Sequence, residues 1–314
     1  MIFLNILSWV LILNLVHGKN SCTNGPSNCV ECGLSYSKRN VLRIIGGAEA
    51  EPHSWPSMAF IQFKYIFYYT YKGRYFTITH TSLFGGTVIS SNTILTAAHC
   101  IVKSVKILDD VIKVEPNTFY ASVEAMYTVY LGLHKISDID SGKSYKVKSI
   151  MIHPNYNETD NFLHDIALIK LENNIDFDEK IQPACLPDKN FGRNIKEGTR
   201  LVAAGWGVVE MNQAMPDGLQ NVELRSFANK RCQNIKNNKI CAGNDKDLKN
   251  TCQGDSGGPL YAIRNVNKGR RHVVVGITSY GYGCFSKLPS VYTKTYSYLD
   301  WIKKNSGLNI KKKS

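Results

Sequence analysis

Short segments rich in β-branched and aromatic residues constrain the fold more than any other feature of the sequence. Clusters of Gly, Pro and Asn separate them, a pattern that is typical of antiparallel sheets closed into a barrel or packed as a sandwich. The predicted strands are residues 57–63, 86–89, 122–131, 165–171, 199–204, 273–279 and 290–295. Helical spacing of apolar residues is clear at residues 298–304, which predict a helix near the C-terminus. The expected fold class is therefore all-β.

The composition agrees with a globular protein and excludes a mainly disordered or collagen-like chain. Of the 314 residues, 43% are hydrophobic and 20% are charged, so the chain is able to bury a sizeable core. The 38 Lys and Arg residues exceed the 25 Asp and Glu residues, which gives a net charge of +13. This charge permits binding to a polyanion, although basic residues spread over the surface for solubility are the simpler explanation.

The first residues, 1–18, predict a secretory signal peptide. They are mostly apolar and end at Gly18, a small residue that precedes polar sequence. The apolar stretch is shorter than the ~20 residues that a membrane span needs, and polar residues interrupt it. A buried N-terminal helix or a membrane anchor is the alternative. We therefore expect a secreted, extracellular protein without a membrane span.

Secretion changes how the nine cysteines are interpreted, because disulfides form and persist in oxidising compartments. The cysteines lie at positions 22, 29, 32, 100, 185, 232, 241, 252 and 284. Since nine is odd, at least one is free or bridges to another molecule. Cys29 and Cys32 form a CxxC pair with no matching second pair, so we expect no zinc site, no other metal and no cofactor.

Three short segments carry residues that together perform acyl transfer. His99 lies in Leu-Thr-Ala-Ala-His-Cys, Asp165 in His-Asp-Ile-Ala-Leu, and Ser256 in Gly-Asp-Ser-Gly-Gly-Pro. A serine nucleophile needs a base for its proton, a carboxylate that orients the base, and donors for the oxyanion. Glycines beside the serine let a substrate approach the backbone closely.

The order of these segments resembles that of the trypsin/chymotrypsin-like serine proteases. Four further motifs fall in the order of that family: Arg-Ile-Ile-Gly-Gly at 43–47, Gly-Trp-Gly at 205–207, Ser-Tyr-Gly at 279–281 and Val-Tyr-Thr at 291–293. The resemblance implies two six-stranded antiparallel β-barrels, with the active site in the cleft and a helix at the C-terminus. It divides the chain into a signal peptide (1–18), a propeptide (19–43) and a protease domain with a basic tail (44–314).

The resemblance assigns catalytic roles to the motif residues. Ser256 resembles the nucleophile, His99 the general base and acid, and Asp165 the carboxylate that orients the imidazole. The N–H groups of Gly254 and Ser256 resemble the oxyanion hole. The resemblance thus implies a secreted serine endopeptidase that acts on proteins or peptides and meets protein inhibitors, with no specific nucleic-acid partner. A catalytically weak homologue that acts by binding or regulation is the alternative.

Substrate contacts are implied on either side of the primary pocket. Ser279 resembles the residue that hydrogen-bonds to the triad aspartate, and its backbone and that of Gly281 would pair with an extended substrate. Gly281 would leave the pocket entrance open. Ser290 stands where the family has a glycine on the far wall, and its larger side chain would narrow the pocket slightly.

The floor of the pocket is implied at Asn250, which Thr251 follows. Trypsin-like members have Asp at the position of Asn250, and a buried guanidinium or ammonium without that counter-charge is costly. We therefore expect preference for neutral residues, either aromatic, Leu and Met or, alternatively, Asn and Gln. A carboxylate from Asp245 or Asp247 would restore basic specificity.

The bond between Arg43 and Ile44 resembles the activation site of a zymogen. Cleavage there by another protease would free the Ile44 ammonium. In the family this group inserts into the domain, pairs with the carboxylate that Asp255 matches, and orders the oxyanion turn.

A disulfide pattern is also implied by the resemblance. The implied pairs are Cys32–Cys185, Cys232–Cys241 and Cys252–Cys284, and Cys22–Cys29 would then close a small local loop. The bridge at Cys185 would tether the propeptide. Cys100 would remain a free thiol, because Phe84 stands where the family has the usual partner.

Two insertions relative to the family, at residues 64–80 and 101–121, would border the leaving-group side of the cleft. Both insertions are surface loops without a functional role in the simpler interpretation. Alternatively, the aromatic first insertion is a binding surface for a protein partner or a patch that covers the second insertion. Asn157-Glu-Thr is a glycosylation sequon. Leu133 stands where calcium-binding members have an acidic residue, so no calcium site is expected.

Overall fold

The structure, a computed structural model, describes residues 31–36, 48–208, 214–244, 251–266, 269–282 and 288–308. Several predicted features lie outside these residues: the signal peptide, the activation bond at 43–44, Asp245, Asp247, Asn250, Cys22, Cys29 and Cys284. Strands dominate the described residues, and none of the helices there is long and apolar enough to span a membrane.

The N-terminal half forms a closed antiparallel barrel of six strands. A two-residue strand, β1 (Ala48–Glu49), precedes it and pairs with the other half. The barrel strands are β2 (Met58–Tyr71), β3 (Arg74–Ser90), β4 (Thr93–Thr96), β7 (Tyr127–Leu131), β8 (Lys143–Ile152) and β9 (Ala167–Leu171). They follow one another round the barrel as β2-β3-β4-β9-β8-β7. Alternate side chains such as Ile61, Phe63 and Val129 point inward and form its core.

The C-terminal half forms a second antiparallel barrel. Its strands are β10 (Arg200–Gly205), β11 (Gln220–Phe227), β12 (Lys239–Gly243), β13 (Pro259–Val266), β14 (Gly269–Tyr280) and β15 (Ser290–Lys294). Pairing of β11 with β12 closes the order β11-β10-β13-β14-β15-β12 into a ring. Both barrels confirm the expected all-β fold, in its barrel form.

A cluster of buried aromatic side chains joins the two barrels. Trp55 stacks on Tyr261 with ring centroids 4.9 Å apart, and Phe60 meets the edge of Trp206 at 5.2 Å. Each fully buried ring of this size stabilises the fold by about 2–3 kcal/mol. These contacts therefore hold the two barrels together.

Helices are short and lie at the periphery. Helix α1 spans Lys189–Gly192, and helix α2 spans Leu299–Ser306 near the C-terminus, where the sequence predicts a helix. Ile302 of α2 is buried against the cluster between the barrels. Gly307 ends the helix in the left-handed region at φ 74°, a common helix terminus. Short 3-10 turns cover Ala98–Cys100, Glu124–Met126, Ile136–Ser141, Asn229–Cys232 and Thr295–Tyr298.

The first insertion, 64–80, continues the barrel strands instead of forming a separate loop. Pairing of β2 with β3 runs without a register break from Met58 opposite Thr87 to Tyr71 opposite Arg74. Lys72 and Gly73 connect the strands with φ values of 49° and 73°, the geometry of a tight hairpin turn. The aromatic insertion is thus a two-stranded ribbon that extends beyond the barrel.

The second insertion, 101–121, packs against this ribbon. It contains a small hairpin of β5 (Ser104–Ile107) and β6 (Asp110–Lys113). Tyr69 donates to the Asp110 carboxylate at 2.6 Å, and the Asn117 amide donates to the Ile66 carbonyl at 2.9 Å. Alternate ribbon residues, Tyr65 and Phe67, are buried beneath it. The two insertions therefore form one unit.

Candidate active site

The carboxylate of Asp165 is the centre of a buried hydrogen-bond network. Its side chain is 0% exposed. It accepts hydrogen bonds from the His99 backbone N–H at 2.9 Å, His99 Nδ1 at 2.8 Å and Ser279 Oγ at 2.6 Å. Asp165 lies just before β9, His99 in the 3-10 turn after β4, and Ser279 near the end of β14. Residues from both barrels therefore converge on one carboxylate, which fixes the ring of His99 with its proton on Nδ1.

Ser256 lies on the turn before β13, between β3 and β14. Gly85 of β3 donates its N–H to the Ser256 carbonyl at 2.8 Å, and Gly257 donates to the Thr278 carbonyl of β14 at 3.0 Å. Gly257 has φ 75°, and a Cβ there would lie 2.2 Å from Thr96 Oγ1. Only glycine fits between Thr96 and this turn, which explains why Gly257 follows Ser256.

The N–H groups of Gly254 and Ser256 belong to the same turn. Within the part of the chain that is described, neither N–H donates to another backbone carbonyl. Gly254 adopts φ 97°, again in the region that favours glycine. Backbone donors without a protein acceptor are available to stabilise an anionic oxygen.

Asp255, between them, packs its side chain against Gly205 and Gly207. Its carboxylate accepts from the Gly207 N–H at 2.9 Å and the Cys252 N–H at 2.8 Å. Burial raises the pKa of Asp255 to about 6. No ion pair to this carboxylate forms among the residues that the structure describes. A Cβ on Gly207 would lie 2.4 Å from its Oδ2 atom, so glycine is required there too.

Cys100 places a free thiol beside the imidazole of His99. The residue is buried, and its Sγ lies 3.8 Å from His99 Nε2. Phe84, in place of the family's cysteine partner, packs against both hydrophobic clusters nearby. Burial lowers the pKa of His99, but the Cys100 sulfur and the Asp165 carboxylate together raise it well above its usual value.

Three further residues form a wall beside His99. Phe162 meets the His99 ring edge-on at 5.6 Å and stacks on Tyr280, also at 5.6 Å. Lys239 is buried beneath them, donates to the Phe162 carbonyl at 2.9 Å, and places its Nζ 4.7 Å from the centre of the Tyr280 ring. Burial lowers the pKa of Lys239 to about 8. Lys239 and Phe162 were not predicted from any sequence pattern, whereas Tyr280 lies within the Ser-Tyr-Gly motif.

The implied specificity pocket is described except at its floor, since Asn250 lies outside the described residues. Thr251 Oγ1 and Tyr292 OH are 3.1 Å apart. Ser290 is buried, and its Oγ would lie 3.2 Å from a Cβ on Gly281. The residues implied for the pocket walls therefore carry uncharged hydroxyl groups, and Ser290 and Gly281 lie close together.

Disulfides join Cys32 to Cys185 and Cys232 to Cys241. Cys252 is disulfide-bonded too, and Cys284, its predicted partner, lies outside the described residues. Around Cys32, Gly33 donates to the Pro183 carbonyl at 2.6 Å and accepts from the His272 N–H at 2.9 Å. The described part of the predicted propeptide, 31–36, is thus docked on the second barrel.

The remaining predicted features are surface properties. Asn157 is exposed, and its side-chain oxygen accepts hydrogen bonds from the N–H and the hydroxyl of Thr159. Within the described ranges no cluster of His, Cys, Asp and Glu is arranged to hold a metal ion. Leu133 is buried in the cluster between the barrels.

Comparison with known proteins gives consistent matches. The family model described as Trypsin matches residues 44–302. The chain is 32% identical over 276 residues to the clotting factor G beta subunit of Tachypleus tridentatus, which covers 83% of this chain and 79% of that protein. It is also similar in structure to neuropsin, a serine protease expressed in the limbic system of mouse brain. The TM-score is 0.61 at 29% identity, with 84% of this chain and 100% of that chain covered.

Replacing Cys100 by alanine is expected to lower the pKa of His99, because the sulfur beside Nε2 contributes to raising it. The pKa is read from an NMR titration of the His99 ring protons in a Ser256→Ala background. Cys100→Ser, which keeps a polar atom beside the ring, is the matched control and should shift the pKa less. An unchanged pKa in the alanine variant would contradict a role for the thiol.

Proposed function

The chain belongs to the trypsin family, and we propose that it is a secreted serine endopeptidase made as a zymogen. The observation that carries the proposal is the network around buried Asp165, which orients the ring of His99. The turn that bears Ser256 lies next to Cys100, the neighbour of His99 in sequence, because a Cβ on Gly257 would lie 2.9 Å from Cys100 Sγ. Protein or peptide substrates follow from membership of the family. Secretion, N-glycosylation at Asn157 and the division into 1–18, 19–43 and 44–314 are parts of the same proposal.

In the proposed mechanism, Ser256 Oγ attacks the carbonyl carbon of the scissile peptide bond while His99 Nε2 takes the hydroxyl proton. The carbonyl electrons move onto oxygen, and the N–H groups of Gly254 and Ser256 stabilise this oxyanion, at about 2.7–4 kcal/mol per donor. Asp165 stabilises the imidazolium. His99 then returns the proton to the amine nitrogen, the C–N bond breaks, and an acyl-enzyme forms on Ser256.

Water completes the reaction at the acyl-enzyme. His99 takes a proton from water as the hydroxide oxygen attacks the acyl carbon, and the same two N–H groups stabilise the second oxyanion. Collapse of this intermediate returns the proton to Ser256 Oγ and releases the carboxylic acid product. Each step uses His99 once as a base and once as an acid.

Activation requires a cation for Asp255. Its buried carboxylate accepts only backbone N–H groups among the described residues, and burial raises its pKa to about 6. Cleavage after Arg43 would supply the Ile44 ammonium, which compensates the charge and holds the oxyanion turn in place. The Cys32–Cys185 disulfide would keep the propeptide attached after cleavage.

Primary specificity is proposed for neutral residues. Asn250 offers an amide where a basic substrate side chain needs a carboxylate, and the described walls present the hydroxyls of Thr251, Ser290 and Tyr292. Aromatic, Leu and Met side chains are preferred in this proposal, with Asn and Gln as the alternative. The activating protease for Arg43 would then be a different enzyme.

The activation step is tested by treating the purified zymogen with a protease that cleaves after arginine, followed by a fluorophosphonate probe. The wild type should be cleaved at Arg43 and labelled on Ser256, and the propeptide should separate only after reduction. Arg43→Gln should stay a single unlabelled chain, and Ser256→Ala, the control, should be cleaved but not labelled. Full labelling of Arg43→Gln would refute the zymogen proposal. An unlabelled, correctly cleaved wild type would favour the alternative of a binding protein.

Specificity is tested with peptide amides that differ only in having Phe or Arg before the scissile bond. The wild type should prefer Phe, and Asn250→Asp should gain Arg cleavage by about 100-fold, since pairing a buried cation is worth several kcal/mol. Asn250→Gln keeps the amide and is the control. A wild type that prefers Arg by more than about tenfold would show that another carboxylate, such as Asp245 or Asp247, serves the pocket.

A further inference from the structure

Strand β3 has one edge without a partner in the described structure. Along one edge, β3 pairs with β2 from Arg74 to Thr87, whereas along the opposite edge β4 pairs only with Thr87, Val88 and Ser90. Between Tyr75 and Leu83, no described residue forms a backbone hydrogen bond to the outer edge. The outer edge of β2, in contrast, is covered by β7 at residues 59–63 and by the Asn117 amide at Ile66.

The backbone groups that face this open edge follow from the register. The backbone N–H and C=O groups of Gly85 point away from β2, because the N–H donates to the Ser256 carbonyl and the C=O accepts from Thr96 Oγ1. In an antiparallel ladder without a register break, every second residue faces the same edge. The N–H and C=O groups exposed there are those of Leu83, Thr81, Thr79, Thr77 and Tyr75. The row is about 30 Å long at ~3.4 Å per residue.

The inner end of the open edge lies at the nucleophile. The Ser256 turn contacts β3 through Gly85 on one side and β14 through Thr278 on the other. In the proposed function, the acyl side of the substrate pairs with the backbone of Ser279 and Gly281, at the end of β14. The leaving-group side therefore exits toward β3 and meets its open edge.

This edge lacks the features by which natural proteins protect unpaired strands. Charged side chains, prolines, bulges and short length normally prevent a further strand from adding. Residues 75–83 contain no Lys, Arg, Asp, Glu or Pro, and the pairing with β2 has no bulge. The side chains of Thr77, Thr79 and Thr81 are exposed. Such an edge is suited to binding an extended peptide as an added strand.

We propose that Thr77–Thr81 of β3 bind the leaving-group side of a polypeptide substrate as an added β-strand. The inference rests on the proposed protease function and specifies the substrate class: unfolded segments that stay extended well beyond the scissile bond. Backbone hydrogen bonds supply the affinity, and the exposed threonines favour β-branched substrate residues that lie beside them.

The test compares two internally quenched peptides that share the acyl side and carry either two or about nine leaving-group residues. The activated wild type should cleave the long peptide with kcat/KM about tenfold higher than the short one. Thr79→Pro should reduce this ratio to about one and leave cleavage of the short peptide unchanged, because the N–H that is lost has no partner in the free protein. Thr79→Val keeps the N–H and should retain the wild-type ratio.

The remaining outcomes distinguish the inference from the function on which it rests. Equal cleavage of both peptides by the wild type would overturn the added strand and leave the protease function intact. No cleavage of either peptide would overturn both. A concentration-dependent dimer that Thr79→Pro abolishes, without a length effect, would assign the edge to a second copy of the chain and overturn the proposal.

Discussion

Burial of the Asp165 carboxylate is the constraint on which the arrangement of the site depends. An ionised carboxylate in a dry interior costs several kcal/mol unless donors surround it. Here His99 contributes two donors and Ser279 a third, each within 2.9 Å, and a hydrogen bond to a charged group contributes about 1.5–3 kcal/mol. Because His99 comes from the first barrel and Ser279 from the second, the same charge also fixes the two barrels relative to each other at the cleft.

The Ser256 turn adds a second constraint, because it is wedged between β3 and β14. The contact of Gly85 with Ser256 aligns the turn and also sets which backbone groups of β3 face outward. The long ribbon beyond the barrel therefore has its open edge in line with the nucleophile. On this account, the chemistry and the extended substrate surface derive from β3, and the second insertion stabilises β2, the strand that pairs with β3 along its opposite edge, through Asn117.

Local sequence patterns predicted an all-β fold and the family resemblance implied its two barrels, but long-range contacts were not predictable. Alternation of apolar and polar residues is absent at 65–71, where ribbon residues on both faces are aromatic, so the continuation of β2 beyond Phe63 had no period-2 signal. The strand predicted at 122–131 begins only at Tyr127, because a 3-10 turn occupies Glu124–Met126. Lys239 reaches the site through a contact with Phe162, 77 residues away in sequence, and no local pattern encodes such a contact.

Catalytic comparison of Asp165→Asn with wild type, after activation at Arg43, tests the central claim most directly. An asparagine amide would donate to His99 Nδ1 and shift the ring proton to Nε2, which then cannot accept the proton of Ser256. The account predicts that kcat/KM falls by about 10⁴-fold while cleavage at Arg43 and the thermal unfolding temperature change little. A correctly folded and cleaved Asp165→Asn enzyme that retains kcat/KM within about tenfold of wild type would contradict the account.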